Sequence, residues 1–197
     1  MTGGRAHSGA REQGAAPVSQ QYAGASTADT EDVVGLILAD HREFERLFRL
    51  LRNREEDRAA LRGQLADLLV AHAEAEEQEV YPALRRKAPE EAEEIEHGSE
   101  EHSEGHEALL ELLEVADVDD HDTFEDKLEE LVEALNHHID EEERDILNAA
   151  RENVGDDERA ELGRAFLAVR NRLLEGTPGD VDNVGRLVDE AREKGEL

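Results

Sequence analysis

Cysteine is absent from the chain. Disulfides, iron–sulfur clusters, thiolate nucleophiles and cysteine–zinc sites are thereby excluded. Aromatic residues make up only 3% of the sequence, and valine, isoleucine and threonine are sparse beside leucine, alanine and glutamate. Sheets draw on the scarce set and helices on the abundant one, so the composition favours an all-α fold. Basic residues are also few: 22 lysines and arginines stand against 52 aspartates and glutamates, a formal charge of −30. Such a surface repels phosphate backbones and anionic headgroups, which argues against nucleic acid or a membrane as partner. Long apolar runs are missing as well. The longest, near residues 33–39, is interrupted and too short to span a bilayer, and the N-terminus has no apolar core of the kind a signal peptide needs. A cytoplasmic protein is expected.

The 197 residues suffice for one domain with a full core. Apolar and charged residues each make up 38%, the pattern of exposed helices around a narrow apolar seam. Residues 1–28, rich in Gly, Ala, Ser and Gln and without periodicity, are expected to form a disordered tail. His7 lies there as a stray polar residue.

Helical periodicity begins after Asp29 or Thr30. The first row reads Val33, Ile37, Phe44, Phe48 and Leu51, and His41 fills its gap. A single core histidine of this kind is more often a hydrogen-bonded structural residue than a ligand. The second helix, about 56–81, carries Leu61, Leu65 and Leu68, and then His72, Glu76 and Val80 at steps of four. Glu77 and Glu79 read as solvent-facing, and Pro82 as a kink. Pro89 opens the third helix, whose row is Ile95, His102, His106, Leu109 and Leu113, with His97 beside it as a surface or supporting residue. Gly98 and Gly105 in that helix fit a close helix approach, room for a small ligand, or simple tolerance. Asp122 or Thr123 caps the fourth helix, leaving His121 solvated in the acidic connection before it. Phe124, Leu128, Leu131, Leu135, His138, Glu142 and Ile146 follow one face, with His137 off the row. Beyond Gly155, with Asp156 or Asp157 as cap, lies a fifth helix, and residues 181–194 form a short amphipathic tail helix. Neither carries a histidine. Covering the bundle or self-association is their expected role.

Four similar helices joined by short connections favour an antiparallel up-down-up-down four-helix bundle over 29–153, with 154–197 as a helical extension. Its core would contain five histidines (His41, His72, His102, His106, His138) and two glutamates (Glu76, Glu142). Each buried polar group without a partner costs about 1–3 kcal/mol. Metal satisfies them together, and seven ligands exceed the four of a tetrahedral zinc. Two metals bridged by the carboxylates fit better, and imidazole with carboxylate suits iron or manganese. A ferritin-like site would need Glu-x-x-His on two helices, and only Glu94–His97 supplies it. His-Glu-x-x-His is also absent, since Ser103 follows His102.

Over residues 32–153 the chain resembles the hemerythrin family, specifically its bacterial hemerythrin-like cation-binding (HHE) branch. The motifs are Asp-His-Arg-Glu-Phe at 40–44, His-x-x-x-Glu-Glu at 72–77 before Tyr81–Pro82, Glu-Glu-His at 100–102 with His106, and His-x-x-x-Glu-Glu at 138–143. The resemblance implies two iron ions, a non-heme centre bridged by oxo or hydroxo and by carboxylate. His41, His72, His102, His106 and His138 would be terminal ligands, with Glu76 and Glu142 as bridges. The family's oxygen carriers end with histidine and aspartate five apart, whereas this chain has glutamate at four. Dioxygen, nitric oxide and peroxide are the implied small-molecule partners, in oxygen binding, sensing, peroxide breakdown or iron handling. No clear proton shuttle falls on the core row, with Tyr81 about a turn beyond Glu76 and His97 off it. Binding is therefore favoured over catalase-like turnover, in a dry surround of Phe44, Phe48, Leu109 and Leu113.

Periodicity separates two adjacent histidines. His138→Ala should lose iron and destabilise the site, while His137→Ala should keep its iron. Elemental analysis of the two purified variants checks this, and equal loss in both would show the register to be wrong.

Overall fold

The computed structural model describes residues 32–197, all of them in helices and short connections, with no strand among the described residues. The tail expected at 1–28 lies outside the described residues. Eight α-helical segments follow in order: α1 (Val33–Leu51), α2 (Arg58–Ala75), α3 (Tyr81–Lys87), α4 (Ala92–Leu113), α5 (His121–Arg144), α6 (Ile146–Asn153), α7 (Asp156–Leu173) and α8 (Val181–Lys194). No helix among the described residues is long and apolar enough to cross a membrane.

The segments α1, α2–α3, α4 and α5–α6 form the four-helix bundle, each packed against its neighbours around a ring. Helix α7 lies against α1 and α2, and α8 against α4, so the C-terminal helices cover the bundle. The apolar core is split in two. Phe44, Phe48, Leu65, Leu109, Phe124, Leu128 and Leu135 belong to one half. Val33, Ile37, Val80, Leu84, Ile95, Leu147 and Phe166 belong to the other. The polar residues on the four helical rows lie in the layer between them.

Several helix starts differ from expectation, two of them because neighbouring residues compete to cap. Asp32 caps α1 by accepting from the Val34 amide at 2.9 Å, so α1 starts at Val33, later than a start directly after Asp29 or Thr30. Asp120 caps α5, not Asp122 or Thr123, which makes His121 the first residue of that helix. Its Nδ1 is 3.3 Å from the Arg58 guanidinium, so it is not merely solvated. Pro89 opens a three-residue 3₁₀ turn, and α4 begins only at Ala92. Gly155, with no capping side chain, precedes α7, whose first residue is Asp156.

The second long helix is not a simple proline kink. Residues Glu76–Val80 form a π turn, and the Tyr81 amide bonds the carbonyl of Glu76, five residues back. Pro82 has no amide proton to offer Gln78 and its ring would clash with that carbonyl, so widening the turn one residue earlier removes both conflicts. The extra residue brings Tyr81 as well as Val80 inward, and both are buried. The α5–α6 junction breaks at the aligned place, Asp145. Gly98 is the point where α4 passes this turn: a Cβ there would stand 3.1 Å from both Tyr81 Oη and Ile146 Cδ1. Close approach accounts for that glycine.

Candidate metal centre

Each of the seven residues on the polar rows is buried: His41, His72, Glu76, His102, His106, His138 and Glu142. The periodicity that selected His138 over His137 holds in the structure, where the His137 side chain is 62% exposed and His138 buried. Steps of four along α2 and α5 stack each histidine under its glutamate. His72 Nε2 stands 3.2 Å from Glu76 Oε1, and the other Glu76 oxygen is 3.2 Å from His102 Nε2. Glu142 Oε2 lies 3.2 Å from His41 Nε2 and 3.8 Å from His138 Nε2. Two sets result. Ligand atoms of His41, His72, Glu76 and Glu142 all lie within 4.8 Å of one another, and so do those of Glu76, His102 and His138. Glu76 belongs to both. His106, one turn beyond His102, falls in neither set, but its Nε2 is also buried and without a hydrogen bond.

Four of the histidines are held at the outer nitrogen by a carboxylate. Nδ1–H donates from His41 to Glu143 at 3.0 Å, from His72 to Asp40 at 3.2 Å, from His102 to Glu77 at 3.1 Å, and from His138 to Glu101 at 3.1 Å. That proton fixes the tautomer, so each Nε2 presents a lone pair inward. Glu77 is thus not a solvated bystander of the second helix. Its place is matched by Glu143, the second glutamate of the repeated motif. The four carboxylates form a ring, each clasping a histidine of a neighbouring helix.

Inside that ring, acceptors face acceptors. Nε2 of all five histidines, both oxygens of Glu76 and Oε2 of Glu142 are buried without a hydrogen bond. Lone pairs 3.2 Å apart need a cation between them. A proton serves for some: burial lowers the basicity of His41, but the carboxylates of Glu142 and Glu143 beside its two nitrogens push it up to about 9. His102, buried against Glu76 and Glu77, is pushed up to about 10. Burial and the neighbouring His102 push His106 down to about 4. Despite burial, His41 and the other imidazoles hold Glu142 well below the ordinary carboxylate range. Metal ions would satisfy the whole set, and taking them up would release these protons. The residues fit such a group.

Three further residues stand at the site that the helical rows do not assign to it; Phe166 is on the apolar row of the fifth helix with Leu162, Val169 and Leu173. Tyr81 lies parallel to the His102 ring, 5.5 Å between centroids, and its hydroxyl donates to Glu142 Oε1 at 3.2 Å. It stands at the site, not a turn beyond it. Arg170 of α7, fully buried, grips Asp40 with two hydrogen bonds of 2.6 and 2.7 Å. Burial raises the Asp40 carboxyl, but His72 and Arg170 together bring it below its usual range. Phe166, also on α7, meets the His72 ring edge-on at 5.8 Å, as does Phe44 at 5.2 Å. The apolar wall at His72 is therefore Phe44 and Phe166. Leu113 is only partly buried, at the end of α4.

The Asp40–Arg170 pair gives a sharp expectation. Arg170→Met should cost about 3–5 kcal/mol by removing the cation that neutralises a buried carboxylate. Asp40→Asn/Arg170→Met should recover most of that stability yet bind metal about 10–100-fold more weakly, because His72 loses its anionic clasp. Denaturant unfolding and metal titration check the pair. Equal metal affinity in the double variant and wild type would deny Asp40 its orienting role.

The family model for the hemerythrin HHE cation-binding domain matches residues 32–150. No curated protein and no solved structure matches the chain. The matched span contains all seven inward residues and the four clasping carboxylates, while Arg170 and Phe166 lie beyond it. With more than half of its length in that match, the chain belongs to the hemerythrin HHE cation-binding family.

Proposed function

We propose that the protein holds two iron ions in the polar layer and binds a small diatomic ligand, dioxygen or nitric oxide, at one of them. The observation that carries this reading is the set of eight buried nitrogen and oxygen atoms without hydrogen bonds, all from seven residues and all directed to one layer. Glu76, whose two oxygens face opposite histidines, would bridge the ions, as would Glu142. His41 and His72 would serve one ion; His102, His138 and His106 the other. Two histidines against three leave the first ion one ligand short, and iron there supplies reversible electron transfer to a bound small molecule. Oxygen and nitrogen donors without sulfur favour iron or manganese over softer metals.

The chain's own residues shape what happens at that side. Phe44 and Phe166 keep water from His72 and suit an uncharged diatomic molecule. The Tyr81 hydroxyl bears on the balance between binding and turnover, because it donates to Glu142, whose other oxygen faces His41, and is the one proton-bearing hydroxyl found at the site among the described residues. Burial, reinforced by Glu142 and Glu76, pushes that phenol well above its ordinary range. Such a hydroxyl donates a hydrogen bond readily and gives up its proton reluctantly. Binding thus remains the better reading. Peroxide disproportionation is the second, and Tyr81 is the observation in its favour.

Anaerobic reduction followed by admission of oxygen tests the choice. A charge-transfer band that forms and reverses under vacuum, with little oxygen evolved when peroxide is added instead, is the expected outcome. Fast, sustained oxygen evolution that is lost in Tyr81→Phe at unchanged iron content would make the protein an enzyme.

A further inference from the structure

Ten buried side-chain polar atoms among the described residues lack a hydrogen bond, and eight belong to the seven inward residues. Of the other two, Arg58 Nε is part of a guanidinium that bonds through its remaining nitrogens and lies over the Phe124 ring. The last is Glu101 Oε1. Glu101 is only 5% exposed, and its Oε2 accepts the Nδ1 proton of His138. Its free oxygen points the other way, toward the outside of the bundle.

What it points at is a cluster built from one His-x-x-x-Glu pair on α4 and one, beside His138–Glu142, on α5. His97 and Glu101 are four apart on α4, and His137 and Glu141 are four apart on α5. Glu101 Oε1 is 3.5 Å from His137 Nε2 and 3.7 Å from His97 Nε2, and Glu141 Oε2 is 3.5 Å from His97 Nε2. Ligand atoms of all four residues lie within 4.8 Å of one another. Metal bonds of about 2.0–2.1 Å at tetrahedral angles place neighbouring donors about 3.3–3.4 Å apart, so three edges of this cluster need to close only slightly. Glu100 stands 3.5 Å from His97 Nδ1, in the position of an outer carboxylate.

The ring of clasping carboxylates supplies a second argument. Asp40 and Glu101 hold equivalent places: each precedes a histidine of the polar layer and clasps the histidine of the next motif. Asp40 is answered by a cation, the guanidinium of Arg170. At Glu101 the corresponding space is occupied by the imidazoles of His97 and His137. We propose that this cluster, His97, Glu101, His137 and Glu141, is a separate binding site for one zinc ion. Glu101 is shared, one oxygen on the outer ion and one on His138. A narrow cleft shared by His97, Glu101, Glu141 and Ile146 also touches Glu142, so the outer cluster lies beside the inner layer.

The side chains of His97 and His137 are 48% and 62% exposed, so both can be replaced without opening the core. Zinc is titrated by calorimetry into full-length wild type and His97→Ala/His137→Ala, each as purified with its iron. The two proteins differ only at the outer cluster, so the difference between their isotherms isolates the outer ion whatever the inner layer contains. Wild type should show one zinc equivalent per chain that the variant binds at least about tenfold more weakly. Helicity and iron content should be the same in both, which separates this site from the inner one. Identical isotherms would overturn the proposal and assign zinc uptake to the acidic surface at large, and a wild type that takes up no zinc would overturn it as well.

Discussion

Buried acceptors that face one another with too few protons to share are the constraint on which the rest of this structure depends. Each such group, left alone, costs about 1–3 kcal/mol, and five imidazoles with two carboxylates gather in one layer of the core. Cations resolve the conflict and nothing apolar can. The two halves of the hydrophobic core, above and below, hold the four helices in a register that stacks the polar steps at one level. The site is thus built by helix periodicity and stabilised by what it binds.

Orientation is a separate problem from assembly. A histidine on a helix can turn its ring, and the outer carboxylates stop it. Asp40, Glu77, Glu101 and Glu143 each clasp one Nδ1, which pairs every helix of the bundle with its neighbours. The C-terminal extension enters the same network. Arg170 neutralises Asp40 and Phe166 closes the wall at His72, so α7 supports the centre although it lies beyond the matched family span. Covering the bundle and tuning one of its histidines are, for this helix, the same contact.

The parts legible in the sequence were those written at a fixed period. Steps of three and four selected His138 over His137 and set His41, His72, His102 and His106 on the apolar rows, and each is buried. Arg170 was not legible, because its partner is 130 residues away and a helix row reports only that it faces inward. Tyr81 escaped because the π turn adds a residue to the period, and Pro82 alone does not say whether a helix kinks or widens. Glu77 was hidden in plain sight: the repeated Glu-Glu pair at 76–77 and 142–143 signals a shared role for the second glutamate. Helix starts were misplaced by a few residues where several carboxylates compete to cap.

The proposed function requires a two-metal centre with nitrogen and oxygen donors in the polar layer. X-ray absorption at the metal edge of the natively purified protein tests it most directly. Iron with only nitrogen and oxygen neighbours, and a second iron visible as a scatterer in the outer shell, is the predicted result. A lone zinc ion with no metal neighbour would contradict it.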